Sequence, residues 1–198
     1  MERGQQKQIQ ASKNFRSGNR VPESVILIGM PGVGKSTVGV ILAKQLGMDF
    51  IDADLEIQRE KNALLSEIIE AEGVDGFLAI ENEVCSAIEP GSGRGAVIAT
   101  GGSAVYGKEA MEHFSRIGQI VHLSLPLPEL TARLGDLRGR GVVLREGQTL
   151  DDLYAERMPL YEKYADITVS EAGLTLEQTL EKVLASLVPA GSGAGCFS

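Results

Sequence analysis

The sequence predicts an α/β domain in which a five-stranded parallel sheet is flanked by helices in three layers. Two observations carry that expectation. Short apolar runs of strand length alternate with amphipathic helical patterns along nearly the whole chain, and strands joined by helical crossovers run parallel. A glycine-rich turn separates the first run from the first helical pattern, as at the ligand-binding edge of such folds.

Taken in order, Ser24 to Ile28 reads as the first strand. Lys35 to Leu46 then places Val38, Ile41, Leu42 and Leu46 at helical spacing, and Gly47 ends the helix. Phe50-Ile51 opens a second strand that closes on Asp52-Ala53-Asp54. Helical patterns follow over Leu55 to Lys61, Leu65 to Ala71 and Gly76 to Ile88. Gly91 to Gly95 is a loop, and Ala96 to Ala99 is the third strand. A helix near Lys108 to Ser115 precedes a strand over Ile120 to Leu125. Pro128 to Leu134 is helical, with proline in the first turn, where its missing N–H costs nothing. After a glycine- and arginine-rich stretch from Gly135 to Gly147 come a helix over Leu150 to Tyr164, a strand over Asp166 to Val169 and a last helix over Leu176 to Leu187.

The chain has 198 residues, enough for one domain, expected over 23–188. Residues 1–22 are polar, basic and without an apolar segment, so no secretory signal is read there. The segment resembles an organelle transit peptide in charge but lacks an amphipathic face, and a disordered extension is expected. Residues 189–198 form a flexible tail. Nineteen basic against 27 acidic side chains leave a formal charge of −8, which speaks against nucleic-acid binding. No apolar run approaches the roughly 18 residues of a membrane span. Cys85 and Cys196 are too few for a disulfide framework, Cys85 reads as a core residue, and a cytoplasmic monomer is expected.

Gly29-Met30-Pro31-Gly32-Val33-Gly34-Lys35-Ser36-Thr37 fits the phosphate-binding pattern G-x-x-x-x-G-K-S between a strand and a helix. Its glycines let successive backbone N–H groups face one anion, and the helix beginning near Lys35 adds its positive end. Lys35 reaches the β- and γ-phosphates, and the Ser36 hydroxyl is placed to ligate Mg²⁺. The domain is thus expected to be of the P-loop NTPase type. The N-K-x-D of a GTPase is missing, and the size favours a kinase of nucleotides or metabolites. Asp52 and Asp54 end the second strand, where they either face the ligand crevice or form a turn and helix cap.

These motifs, with Ala99-Thr100-Gly101-Gly102, the pair Arg133 and Arg140, and Arg157-Met158-Pro159-Leu160-Tyr161, resemble the shikimate kinase family from Ser24 to Leu187. The resemblance implies transfer of the γ-phosphate of ATP, with Mg²⁺, to a small hydroxylated acceptor. It makes Gly29, Gly32, Val33, Gly34, Lys35, Ser36 and Thr37 the nucleotide site, and Ser36 and Asp52 the metal site. Asp54, Gly101, Gly102 and Arg157 bind the acceptor, with Arg157 on its carboxylate. Arg133 lies against adenine, and Arg140 belongs to a mobile lid and meets the transferring phosphates. Lys35, Asp54 and Arg140 are the catalytic set. Left to its residues alone, the lid also allows the reading of a flexible basic surface loop, and Arg157 that of a helix-surface partner of Glu156 or Glu162.

The chain departs from the family at three places. Ser103 stands for a third glycine, and Arg140-Gly141-Val142-Val143 for Arg-Pro-Leu-Leu. In Gly73-Val74-Asp75-Gly76-Phe77-Leu78-Ala79-Ile80-Glu81, the family's Gly-Glu-x-x-Phe-Arg-x-x-Glu, Val74 replaces an acid and Leu78 the second arginine on the acceptor's carboxylate. Losing one partner of a desolvated charge pair costs roughly 2–5 kcal/mol. The acceptor is therefore shikimate held by other cations, or another hydroxylated metabolite such as homoserine or a sugar acid. A non-catalytic nucleotide-binding regulator is the third reading.

Overall fold

Val25–Ile28 (β1) is apolar at every position and fully buried, which suits the middle of a sheet covered on both faces. The computed structural model describes residues 24–91, 94–134, 145 and 147–187. The N-terminal extension, the C-terminal tail and Arg140 with the rest of the expected lid lie outside the described residues. Four further strands, Asp49–Asp52 (β2), Ala96–Ala99 (β3), Gln119–Ser124 (β4) and Ile167–Ser170 (β5), complete one sheet in the order β2-β3-β1-β4-β5. All neighbours pair in parallel, with Leu27 opposite Ala99 and Asp52 also opposite Ala99. The turns after β1, β2 and β3 therefore emerge side by side at one edge.

The described helices are Lys35–Leu46 (α1), Ala53–Lys61 (α2), Leu65–Ala87 (α3), Lys108–Ile117 (α4), Leu127–Leu134 (α5), Leu150–Tyr164 (α6) and Leu176–Ser186 (α7). Most match the sequence expectation within two residues; three differences bear on the site. The second helix starts at Ala53 rather than Leu55, because the Asp52 carboxylate caps it by accepting the Asp54 N–H at 3.1 Å. Asp54 thus belongs to a helix's first turn. The two patterns expected over Leu65 to Ala71 and Gly76 to Ile88 abut in one element kinked at Gly73, whose φ of 70° breaks the helical path. A 3₁₀ turn over Ala104–Tyr106, absent from the sequence reading, follows the third strand.

The main core packs Leu27, Ile28, Ile98 and Val121 of the sheet against Leu42, Phe114, Tyr161 and Val183 of the helices. A smaller cluster of Ile57, Ile68, Phe77 and Val84 joins α2 to α3, with Val74 and Leu78 packed on it. Cys85 is a buried free thiol whose pKa burial raises well above its ordinary value, so it is an inert core residue. Among the described residues no helix is long and apolar enough to cross a membrane.

Candidate active site

The loop after β1 curls as its glycines allow. Gly29, Gly32 and Gly34 have φ of 145°, 79° and 109°, and Gly34 is the N-cap of α1. Lys35, the first residue of that helix, is 8% exposed and donates from Nζ to the Gly29 and Met30 carbonyls at 2.8 and 3.0 Å. Burial pushes its pKa down to about 8, against the opposing charge of Asp54. It still carries its charge at neutral pH.

The Ser36 hydroxyl donates to Asp52 Oδ2 at 2.8 Å, so the helix side of the loop touches the end of β2. Both readings of the acid pair hold at once: Asp52 caps α2, and Asp54 faces the crevice. A cavity of about 340 Å³ lies over the sheet edge, and its walls include Lys35, Ser36, Thr37, Asp54, Gly101, Gly102 and Arg157. Burial, then the neighbouring Asp52 charge, raises the Asp54 pKa above 3.8.

Gly101 and Gly102 are needed for space, not for unusual backbone angles. A Cβ on Gly101 would collide with Glu81 Oε1 and lie 3.0 Å from Asp54 Oδ1. One on Gly102 would lie 2.7 Å from Pro31 Cδ and 3.1 Å from Arg157 Nη1. Arg157 is 1% exposed, which removes the reading of a helix-surface salt bridge. Its Nε donates to the Tyr106 hydroxyl at 3.3 Å, and its guanidinium lies over the Tyr106 ring. The 3₁₀ turn missed in the sequence thus carries the residue that orients Arg157. Tyr161, one turn along the same helix, donates to the Gly102 carbonyl at 2.6 Å and ties α6 to this loop.

Arg133, on α5, sits at the loop's other flank, where it donates to the Val33 carbonyl at 3.1 Å and pairs with Glu171 at 2.9 Å. Glu171 is buried, and burial raises its pKa against that pairing. Arg140 cannot be compared with these residues, because it lies outside the described part. The described residues Lys35, Ser36, Asp54, Gly101, Gly102 and Arg157 converge on one cavity.

Sequence reasoning assigned no role to Glu81. It is 1% exposed and lines the cavity beside Asp54. Burial pushes its pKa from 4.5 up to about 7, with Ser103, Arg157 and Lys35 opposing and Asp54 adding. The signal was present in its register with Gly73 and Phe77, but its neighbours come from β3 and α2. A buried carboxyl of this kind trades stability for a task.

A sign follows for its effect on stability. Between pH 4.5 and about 7 the unfolded chain releases this proton while the folded chain keeps it, so stability falls as pH rises and the full cost is present above about 7. That cost is of order 3 kcal/mol. Glu81→Gln removes it. The variant should melt about 5–10 °C above the parent at pH 8, with the advantage shrinking towards pH 5. Calorimetry of both proteins without ligands checks this, and an advantage independent of pH would contradict it.

A family model described as shikimate kinase matches residues 31–188. The shikimate kinase of Thermodesulfovibrio yellowstonii is 36% identical over 164 residues, covering 82% of this chain and 93% of its own. That of Pasteurella multocida is 36% identical over 168 residues, covering 83% and 92%. Among solved structures, shikimate kinase from Acinetobacter baumannii in complex with shikimate superposes with a TM-score of 0.73 at 32% identity, over 87% of this chain and 94% of that one.

Proposed function

Since the chain belongs to the shikimate kinase family and so is a small-molecule kinase acting on an alcohol group, we propose that it transfers the γ-phosphate of ATP to a hydroxyl of shikimate. The observation that carries this is the single cavity in which a phosphate-binding lysine, a carboxylate and a buried guanidinium meet. One catalytic domain over 23–188, acting as a cytoplasmic monomer, performs it.

The loop amides and Lys35 hold the β- and γ-phosphates, and Arg133 flanks the base. Ser36 and Asp52 offer hard oxygen donors 2.8 Å apart, a set that suits Mg²⁺ completed by phosphate and water oxygens. Mg²⁺ held by these two residues would supply positive charge to offset that of the phosphates. Arg157 takes the acceptor's carboxylate, and Asp54 with the Gly101–Gly102 backbone takes its hydroxyls, with Glu81 beside them. The acceptor oxygen then forms a bond to the γ-phosphorus as the bond to the bridging β–γ oxygen breaks, and ADP leaves. The hydroxyl proton passes to Asp54. Lys35, and Arg140 by the family resemblance, balance the charge spread over the transferring group.

Coupled ADP release tests this, with shikimate, homoserine and gluconate offered separately at 1 mM. Shikimate should give a kcat/KM at least a hundred times that of either rival. Turnover confined to homoserine or gluconate would replace the acceptor and leave the kinase standing. ATP binding with no transfer to any acceptor would favour the regulator.

A further inference from the structure

Among the described residues, the main cavity gives an acidic acceptor little positive charge at its acid end. Of its described charged walls, Lys35 is committed to the loop carbonyls and the phosphates, and Asp54 and Glu81 are carboxyls, which leaves Arg157. Arg157 also borders a second, small cleft of about 10 Å³, space for roughly one water. Val74 and Leu78 of α3 form an apolar wall of that cleft, and Arg145 forms part of another. Two guanidinium groups therefore flank one small cleft beside the cavity.

Arg145 is placed but loosely held. Its Nη2 pairs with Asp75 Oδ1 at 2.8 Å, and the two side chains are 57% and 80% exposed. Such an exposed pair contributes little, so the guanidinium changes partner at small cost. Its backbone N–H donates to Gln148 Oε1 at 3.1 Å, which fixes the main chain next to α6, the helix that carries Arg157. The acidic neighbour, Glu156, accepts from Gln148 Nε2 at 2.8 Å. Asp75 lies three residues before Leu78 on α3, so Arg145 stands over the same side of the helix as Leu78. Leucine offers no donor there, and the low polarity of the Val74–Leu78 wall strengthens any charge interaction beside it.

We infer that Arg145 is the second cation for the acceptor's carboxylate, sharing it with Arg157 and leaving Asp75 to do so. This rests on the proposed phosphorylation of shikimate and assigns a specificity residue to it. A carboxylate has enough lone pairs to accept from both guanidinium groups, and a cation arriving from across the cleft fills the role that Leu78 cannot.

The test compares shikimate with its neutral methyl ester in the parent, Arg145→Gln, Arg145→Lys and the double variant Arg145→Gln with Leu78→Arg. Arg145→Gln should raise the KM for shikimate about tenfold, the worth of one solvent-shared charge-assisted hydrogen bond. Its kcat, its KM for ATP and its KM for the ester should stay within about twofold. Arg145→Lys should recover part of the loss, and the double variant most of it. An unchanged shikimate KM, equal losses for acid and ester, or a loss confined to ATP would each overturn the assignment. Failure of the parent to use shikimate at all would overturn the proposed function and this inference together; normal parental turnover with an unmoved KM overturns only this inference.

Discussion

Replacing Lys35 by methionine should lower kcat/KM by about a thousandfold or more while leaving the fold intact. The amine is held within 3.0 Å of two loop carbonyls, at the point where the loop becomes α1. In the proposed reaction it faces the phosphates in both ground and transition states. Charge that grows on the transferring group gains more from a fixed cation than bound ATP does, so kcat falls as well as affinity. Methionine keeps most of the volume and removes a buried charge, so the melting temperature should stay within a few degrees. Because burial holds the amine near pKa 8, kcat/KM for ATP in the parent should fall as pH rises through about 8. Steady-state kinetics with calorimetry on the same samples checks both statements. Unchanged ATP affinity and transfer in a folded variant would sink the assignment of this loop.

Most of the scaffold was legible because its signals are local. The strand-loop-helix unit around Lys35 declares itself through glycine spacing and apolar period, and Gly47 ends α1 with φ 71°, as the sequence implied. The start of α2 was misread by two residues because the capping bond of Asp52 competes with the strand pattern that precedes it. The 3₁₀ turn at Ala104–Tyr106 has no periodicity to detect, yet it brings the Tyr106 hydroxyl to Arg157. Glu81 and Arg145 were harder for a different reason. What makes Glu81 unusual is its burial against Gly101 and Asp54, and what places Arg145 is a cleft walled by α3 and α6. Both depend on packing between segments far apart in sequence, which no window along the chain contains. Arg157 illustrates the converse: its motif was visible, but only its 1% exposure separates a pocket residue from a surface ion pair.

The order β2-β3-β1 explains why this chemistry gathers at one edge. Each of those strands ends in a loop that supplies a different requirement: Asp52 and Asp54 after β2, Gly101 and Gly102 after β3, and the phosphate loop after β1. The Thr100 hydroxyl and N–H both donate to the Leu27 carbonyl, at 3.0 and 3.2 Å, so the exit of β3 is tied to that of β1. The proposed phosphate and acceptor sites are thereby fixed by the sheet rather than by mobile side chains, which would serve a reaction that depends on alignment.

Asp54→Asn should reduce kcat by about a thousandfold while the dissociation constant for ATP moves less than about threefold. The residue lies in the first turn of α2 and lines the cavity, whereas the contact between α1 and β2 is made by Asp52 through Ser36. Asparagine keeps the shape and still meets a hydroxyl, but it cannot accept the proton that the acceptor oxygen loses. A positioned base is worth about 100- to 10,000-fold. Burial raises the Asp54 pKa, so in the parent the acid limb of kcat/KM should lie above the ordinary aspartate value of 3.8. Activity should be lost there as pH falls and the base is protonated, and the residual activity of the variant should lack that limb. Direct ATP titration and pH-dependent kinetics read these effects separately. A variant impaired only in ATP affinity, with normal kcat at saturation, would mean that the two aspartates exchange roles: Asp54 would then hold the nucleotide's metal, and the base would have to be sought at Glu81, the other carboxyl of the same cavity.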